Sequence, residues 1–89
     1  MLTITEAANR RLAEILTGPN APSDASLAVR ISQHGGELGV TFDEAMPTDA
    51  IFEYKGEVVL LIDAELAESI SRKTLDVTTM DYGPQLTLR

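Results

Sequence analysis

Glu57-Val58-Val59-Leu60-Leu61-Ile62-Asp63 is the longest uninterrupted apolar run in the chain, closed at each end by a carboxylate. Five consecutive large apolar residues cannot alternate between core and water, so a strand made of them is expected to be covered on both faces. The β-branched Val58, Val59 and Ile62, with Lys55-Gly56 as a turn just before, favour a strand over a helix. The run is read as the central strand, and the other elements as its cover.

Upstream of it, Ile51 to Tyr54 joins the run through Lys55-Gly56, a two-residue hairpin signal. Further back, Leu27, Val29 and Ile31 alternate with Ala28, Arg30 and Ser32, and Leu38, Val40 and Phe42 alternate with Gly39, Thr41 and Asp43. Both segments have the period of two expected of strands. Gln33 to Glu37 is read as the glycine-bearing loop of their hairpin. At the N-terminus, Leu2 and Ile4 flank Thr3 in a short opening strand. A helix beginning at Glu6 follows, with Ala8, Leu12, Ile15 and Leu16 on one stripe and Gly18-Pro19 as its stop. Thr5 is one N-cap for this helix, and a Thr3 to Glu6 capping box is the other. Downstream of the run, Asp63 ends the strand and caps a short second helix bearing Leu66 and Ile70. Leu75 to Thr78 and Leu86 to Leu88 then form a closing hairpin around the turn Asp81 to Pro84. This order predicts an α+β fold with two helices and a largely antiparallel sheet, curled and barrel-like, around one core. Residues 1–89 are expected to form a single domain.

Composition narrows the function. Fourteen acidic against seven basic residues give a net charge of -7, which repels phosphate backbones and anionic headgroups. Nucleic acid and membranes are therefore not expected partners. No export signal or twenty-residue apolar stretch occurs, so a cytoplasmic setting is the expectation. The chain contains no cysteine, which removes disulfides, thiolate metal ligands and cysteine nucleophiles from these 89 residues.

Four stretches carry a family resemblance. They are Leu2-Thr3-Ile4-Thr5-Glu6-Ala7-Ala8; Leu27-Ala28-Val29-Arg30-Ile31 entering a glycine-rich loop; Asp49-Ala50-Ile51-Phe52-Glu53 followed by Gly56 and the Val58 to Asp63 run; and Thr74-Leu75-Asp76-Val77. Together they resemble the A-type iron-sulfur carriers, the HesB or IscA-like domain, over nearly the whole chain. The resemblance implies that fold and an ancestry in iron-sulfur cluster assembly. It also implies a ligand pattern of one cysteine in the glycine-rich loop and a Cys-x-Cys pair in a C-terminal tail. Here the loop reads Gln33-His34-Gly35-Gly36-Glu37, shorter than the family's and without cysteine, and the sequence stops at Arg89 with no such tail. No family ligand carries over to a residue of this chain.

His34, the only histidine, stands roughly where the family keeps its first cysteine. A single imidazole needs two or three further donors to hold a transition metal, and Glu37, Asp43 or Glu44 would have to supply them. Asp43, Glu44 and Asp49 flank Met46-Pro47 and read as a weak hard-cation site, as a carboxylate pair for acid-base work or, more simply, as a solvated acidic turn. No serine lies in a nucleophile elbow, and Gly35-Gly36 with Gly39 lacks the lysine and following helix of a phosphate loop. Phe42, Met46, Tyr54, Met80 and Tyr82 sit at strand ends or in loops, where they either contact a partner or cap the core. The resulting expectation is a non-enzymatic protein, with no catalytic, cofactor-binding or metal residue assigned, that works by contact with another protein. A weak metal site at His34 is the alternative.

Overall fold

A computed structural model describes residues 2–19, 21–24, 26–34 and 37–89, the side chain of Glu37 excepted. Among these residues the elements run β1 (Thr3–Ile4), α1 (Glu6–Thr17), β2 (Ala28–His34), β3 (Glu37–Asp43), β4 (Ala50–Tyr54), β5 (Glu57–Ile62), α2 (Ala64–Ser69), β6 (Thr74–Met80) and β7 (Gly83–Leu88). The expected α+β order is present. The β2–β3 loop at Gly35-Gly36 lies outside the described residues.

The apolar run forms β5, an inner strand of a four-stranded sheet ordered β3-β2-β5-β4. Its burial is achieved differently from the simple two-faced cover expected of it. The β4–β5 register shifts between Phe52 and Glu53, pairing Phe52 with Leu60 and Glu53 with Val58, so Val59 is an extra residue in β5. Such a bulge breaks strict alternation, and both Val59 and Leu60 join the core cluster, as does Ile62. Val58 is left 37% exposed, while Leu61 is fully buried outside that cluster, on the opposite face.

The cover over Leu61 comes from a crossover. β3 and β4 are the two edges of the sheet, yet only residues 44–49 join them, so the connection has to pass over β2 and β5. Val29 and Ile31 point into the core, which turns Arg30 between them to the other face. There Arg30 bonds the start and end of the crossover. Ala28 and Leu61 are buried on that face.

The remaining strands form a second sheet, β1-β6-β7, with β1 parallel to β6 and β6 antiparallel to β7. In the first sheet β2 and β5 are parallel and the other pairs antiparallel. The expected single, curled, barrel-like sheet is thus corrected to two sheets without closure among the described residues. The closing hairpin finds β1 rather than the central strand as its neighbour.

Helix α1 unites the two sheets, resting on β2 and β5 of one and β6 and β7 of the other. Its N-cap is Thr5, whose Oγ1 accepts from the N–H of Ala8 at 3.1 Å. Ala8 and Leu12 supply its fully buried face. Asp63 caps α2 in the same way, accepting from Leu66 N–H at 3.0 Å, and Ile70 just beyond it enters the core. The Lys55-Gly56 turn has φ of 52° and 84°, the two left-handed positions of a type I′ hairpin. No helix among the described residues is long and apolar enough to cross a membrane.

Candidate functional site

Arg30 is the centre of the chain's main polar cluster. Its Nε donates to Asp43 Oδ2 at 2.8 Å, and Nη1 and Nη2 grip the Asp49 carboxylate at 3.0 and 2.6 Å. A longer bond, 3.3 Å, runs from Nη2 to the carbonyl of Glu44. The bidentate grip suits a planar guanidinium and a carboxylate. The same acids also tie down the backbone. Asp43 Oδ1 accepts from Glu44 N–H at 2.8 Å, and Asp49 Oδ2 from Met46 N–H at 2.7 Å. The side chain of Asp49 is only 2% exposed, against 15% for Arg30 and 42% for Asp43.

These contacts set the electrostatics. The hydrogen bonds from Arg30, then that from Met46 N–H, hold the Asp49 carboxyl below the usual aspartate range, against the opposing effect of burial. Asp49, with Asp43 behind it, makes Arg30 hold its proton still more firmly than usual. The three groups satisfy one another by hydrogen bonds, leaving neither an acid-base pair nor an open cation site among them. The acidic turn expected around Met46-Pro47 is therefore an arginine-filled clasp. Arg30 was the residue that pattern reading missed. The available signal was one cation inside an apolar strand, with three acids clustered at the next loop.

The proposed donors for His34 do not assemble. In the β2–β3 hairpin, His34 pairs with Glu37 and Ala28 pairs with Asp43, which sets His34 and Asp43 about 20 Å apart along the strands. Glu44 lies beyond Asp43, and the side chain of Glu37 is outside the described residues. His34 is exposed and borders a depression shared with Asp63 and Glu65, but Asp63 already serves as the α2 cap. Among the described residues, no three of histidine, aspartate or glutamate are grouped closely enough to hold a metal ion.

The apolar candidates divide. Phe42 and Tyr54 are half-buried against the core, with the Tyr54 hydroxyl donating to Glu6; that bond raises the tyrosine's pKa above its ordinary value. Met46, Met80 and Tyr82 are exposed, and so are Ile51, Val40 of the alternating β3 segment and Val58 of the apolar run.

A second polar cluster closes the other sheet. Asp76 accepts from the Thr5 hydroxyl at 2.8 Å and from Val77 N–H at 2.8 Å, and pairs with Arg89. These contacts lower its pKa, the backbone bond foremost. The cluster joins the α1 cap to β6 and the last residue, a latch within the fold.

No protein-family model matches the sequence, and no curated protein matches it. Solved structures do. One is the crystal structure of IscA with the [2Fe-2S] cluster, at TM-score 0.66 and 21% identity, with 100% of this chain and 84% of that chain covered. Another is the crystal structure of Escherichia coli SufA, involved in biosynthesis of iron-sulfur clusters, at TM-score 0.70 and 22% identity, covering 99% of this chain and 83% of that one. From the opening strand to the closing hairpin, the chain has the HesB-like fold of IscA and SufA.

Proposed function

We propose that this chain is a non-enzymatic, HesB-like protein related to iron-sulfur cluster assembly that acts by contact with another protein rather than by holding a cluster. The observation that carries the reading is the full-length match to IscA and SufA in a sequence without a single cysteine. Clusters are held chiefly by thiolates, with histidine replacing some of them in certain centres. One exposed histidine does not fit such a cargo, and carboxylates are hard donors poorly suited to it. Contact with another protein is supported by large apolar side chains left at the surface, among them Met46, Ile51 and Tyr82. A cytoplasmic setting goes with this reading.

Anaerobic reconstitution with ferrous iron and sulfide tests it. The expected result is a protein that emerges colourless from desalting. Visible absorption that stays with the protein and disappears in His34→Ala would replace this reading with a metal site at His34.

A further inference from the structure

β7 is an edge of the second sheet, with β6 as its one hydrogen-bonded neighbour among the described residues. The ladder decides which of its backbone groups face outward. Thr74 and Arg89 exchange both N–H to C=O bonds, each at 2.9 Å, and the register runs unshifted from Leu75 with Leu88 to Met80 with Gly83. In an antiparallel pair such bonded positions alternate with positions whose N–H and C=O turn away from the partner strand. Asp76 with Thr87 and Thr78 with Gln85 are therefore bonded, and Leu86 and Leu88 present their N–H and C=O outward, about 7 Å apart along the strand. Pro84, the next outward position, has no N–H to offer. Among the described residues no backbone group pairs with those of Leu86 and Leu88 on this side, although the Leu86 side chain belongs to the core cluster.

A groove runs along this edge. Gln85, Leu86, Thr87 and Leu88 line it in succession, and because side chains alternate between faces, four neighbours in a row mean that the groove meets the strand edge-on. Its far wall is the cross-strand pair Gln33 and Leu38 of the first sheet, so it lies between the two sheets. Lys73 stands in the lining and makes no ion pair among the described residues. In a chain with 14 acids, none of the lining residues is acidic.

We infer that β7 accepts an extended, acidic segment of a partner protein, which adds as a strand along Leu86 to Leu88 with a carboxylate against Lys73. Two observations select this occupant. Outward donors and acceptors repeating at the spacing of a strand are matched by an extended main chain, as in strand addition at a sheet edge, and the uncommitted Lys73 calls for negative charge. A second copy pairing through the same edge does not meet the second requirement, because Gly83–Leu88 contains no acid. It would also bring together two chains of net charge -7. Pro84 ends the pairing on one side, which confines the added strand to the 86–88 stretch.

The inference rests on the contact-based reading above. Its test is titration of the isotope-labelled protein with a short peptide that alternates threonine and valine and carries aspartates at both ends, followed by NMR. Expected are saturable shifts below about 1 mM, centred on Leu86 and Leu88, with slowed exchange of those two amides. Methylating alternate backbone nitrogens of the peptide abolishes binding in one of the two phases, because that phase points its N–H groups at β7. Binding falls roughly tenfold in Lys73→Glu and with lysines in place of the peptide's aspartates. No saturable binding, shifts centred elsewhere, equal binding of both methylated peptides, or indifference to the charge at Lys73 overturns the assignment. So does exchange at Leu86 and Leu88 that slows with protein concentration in the absence of peptide, since that gives the edge to a second copy. Cluster formation on reconstitution sinks the contact reading itself, whereas a peptide seated elsewhere sinks only this edge.

Discussion

Replacing Arg30 with alanine leaves Asp49, 2% exposed, with a charge and no counter-ion. Removing one partner of a buried pair typically costs about 3 to 5 kcal/mol. Because Asp43 is partly solvated, Arg30→Ala is expected near the lower end, about 3 kcal/mol, measured by urea unfolding at pH 7. Arg30→Lys keeps the charge but not the two-pronged grip and should fall between the two proteins. A loss within about 0.5 kcal/mol, the scale of an ordinary surface change, would show that the clasp does not stabilise the fold. The pair also sets an acid limit. The Asp49 carboxyl titrates lower in the folded than in the unfolded chain, so its contribution is complete above the unfolded value of about 3.9 and is lost as pH falls through the folded one. Stability should be level in this respect from pH 7 to 5 and fall below about pH 4. Asp49→Asn should show a shallower acid slope, not an absent one, because Asp76 is shifted in the same direction. The caps at Thr5 and Asp63 were legible because each acts on a residue three positions away. Arg30 was not, because its acceptors lie 13 and 19 residues on and meet it only through a crossover that no local pattern specifies.

The strands were legible from alternation and the helices from their stripes, since burial of one face imposes those periods. What periodicity could not supply was sheet membership, because β1 is two residues long and chooses β6 through tertiary packing. Nor could it supply the bulge, which lets Val59 and Leu60 both face the core and so explains an apolar run that alternation cannot. Leu60 is fully buried in the cluster between α1 and the sheet. Leu60→Ala is expected to cost about 2 to 5 kcal/mol, and a loss below about 1 kcal/mol would mean that the bulge relaxes and refills the space. Ser23→Ala, in the exposed loop before β2, should change stability by no more than about 0.5 kcal/mol. Unfolding curves of both variants compare core with loop directly.

The described residues share one core cluster fed by both sheets, α1 and the segment around Ile70, and include no metal-ligand group. Folding by apolar burial alone predicts that exhaustive chelation leaves the midpoint and cooperativity of urea unfolding unchanged. A shifted midpoint would reveal a bound ion in the stability of the native state. One feature reaches further. The 44–49 crossover works as a strap buckled at Arg30, fastening the first sheet's two outermost strands to each other across the two between them. Outermost strands ordinarily fray independently. Here β3 cannot peel away without dragging the strap off β4, so amides of β3 and β4, at opposite margins, should share one opening free energy in hydrogen exchange. With the buckle cut in Arg30→Ala, they should lose protection together while β6 and β7 keep theirs. Separate exchange rates for the two margins in the unaltered protein would show that the strap yields before either strand does.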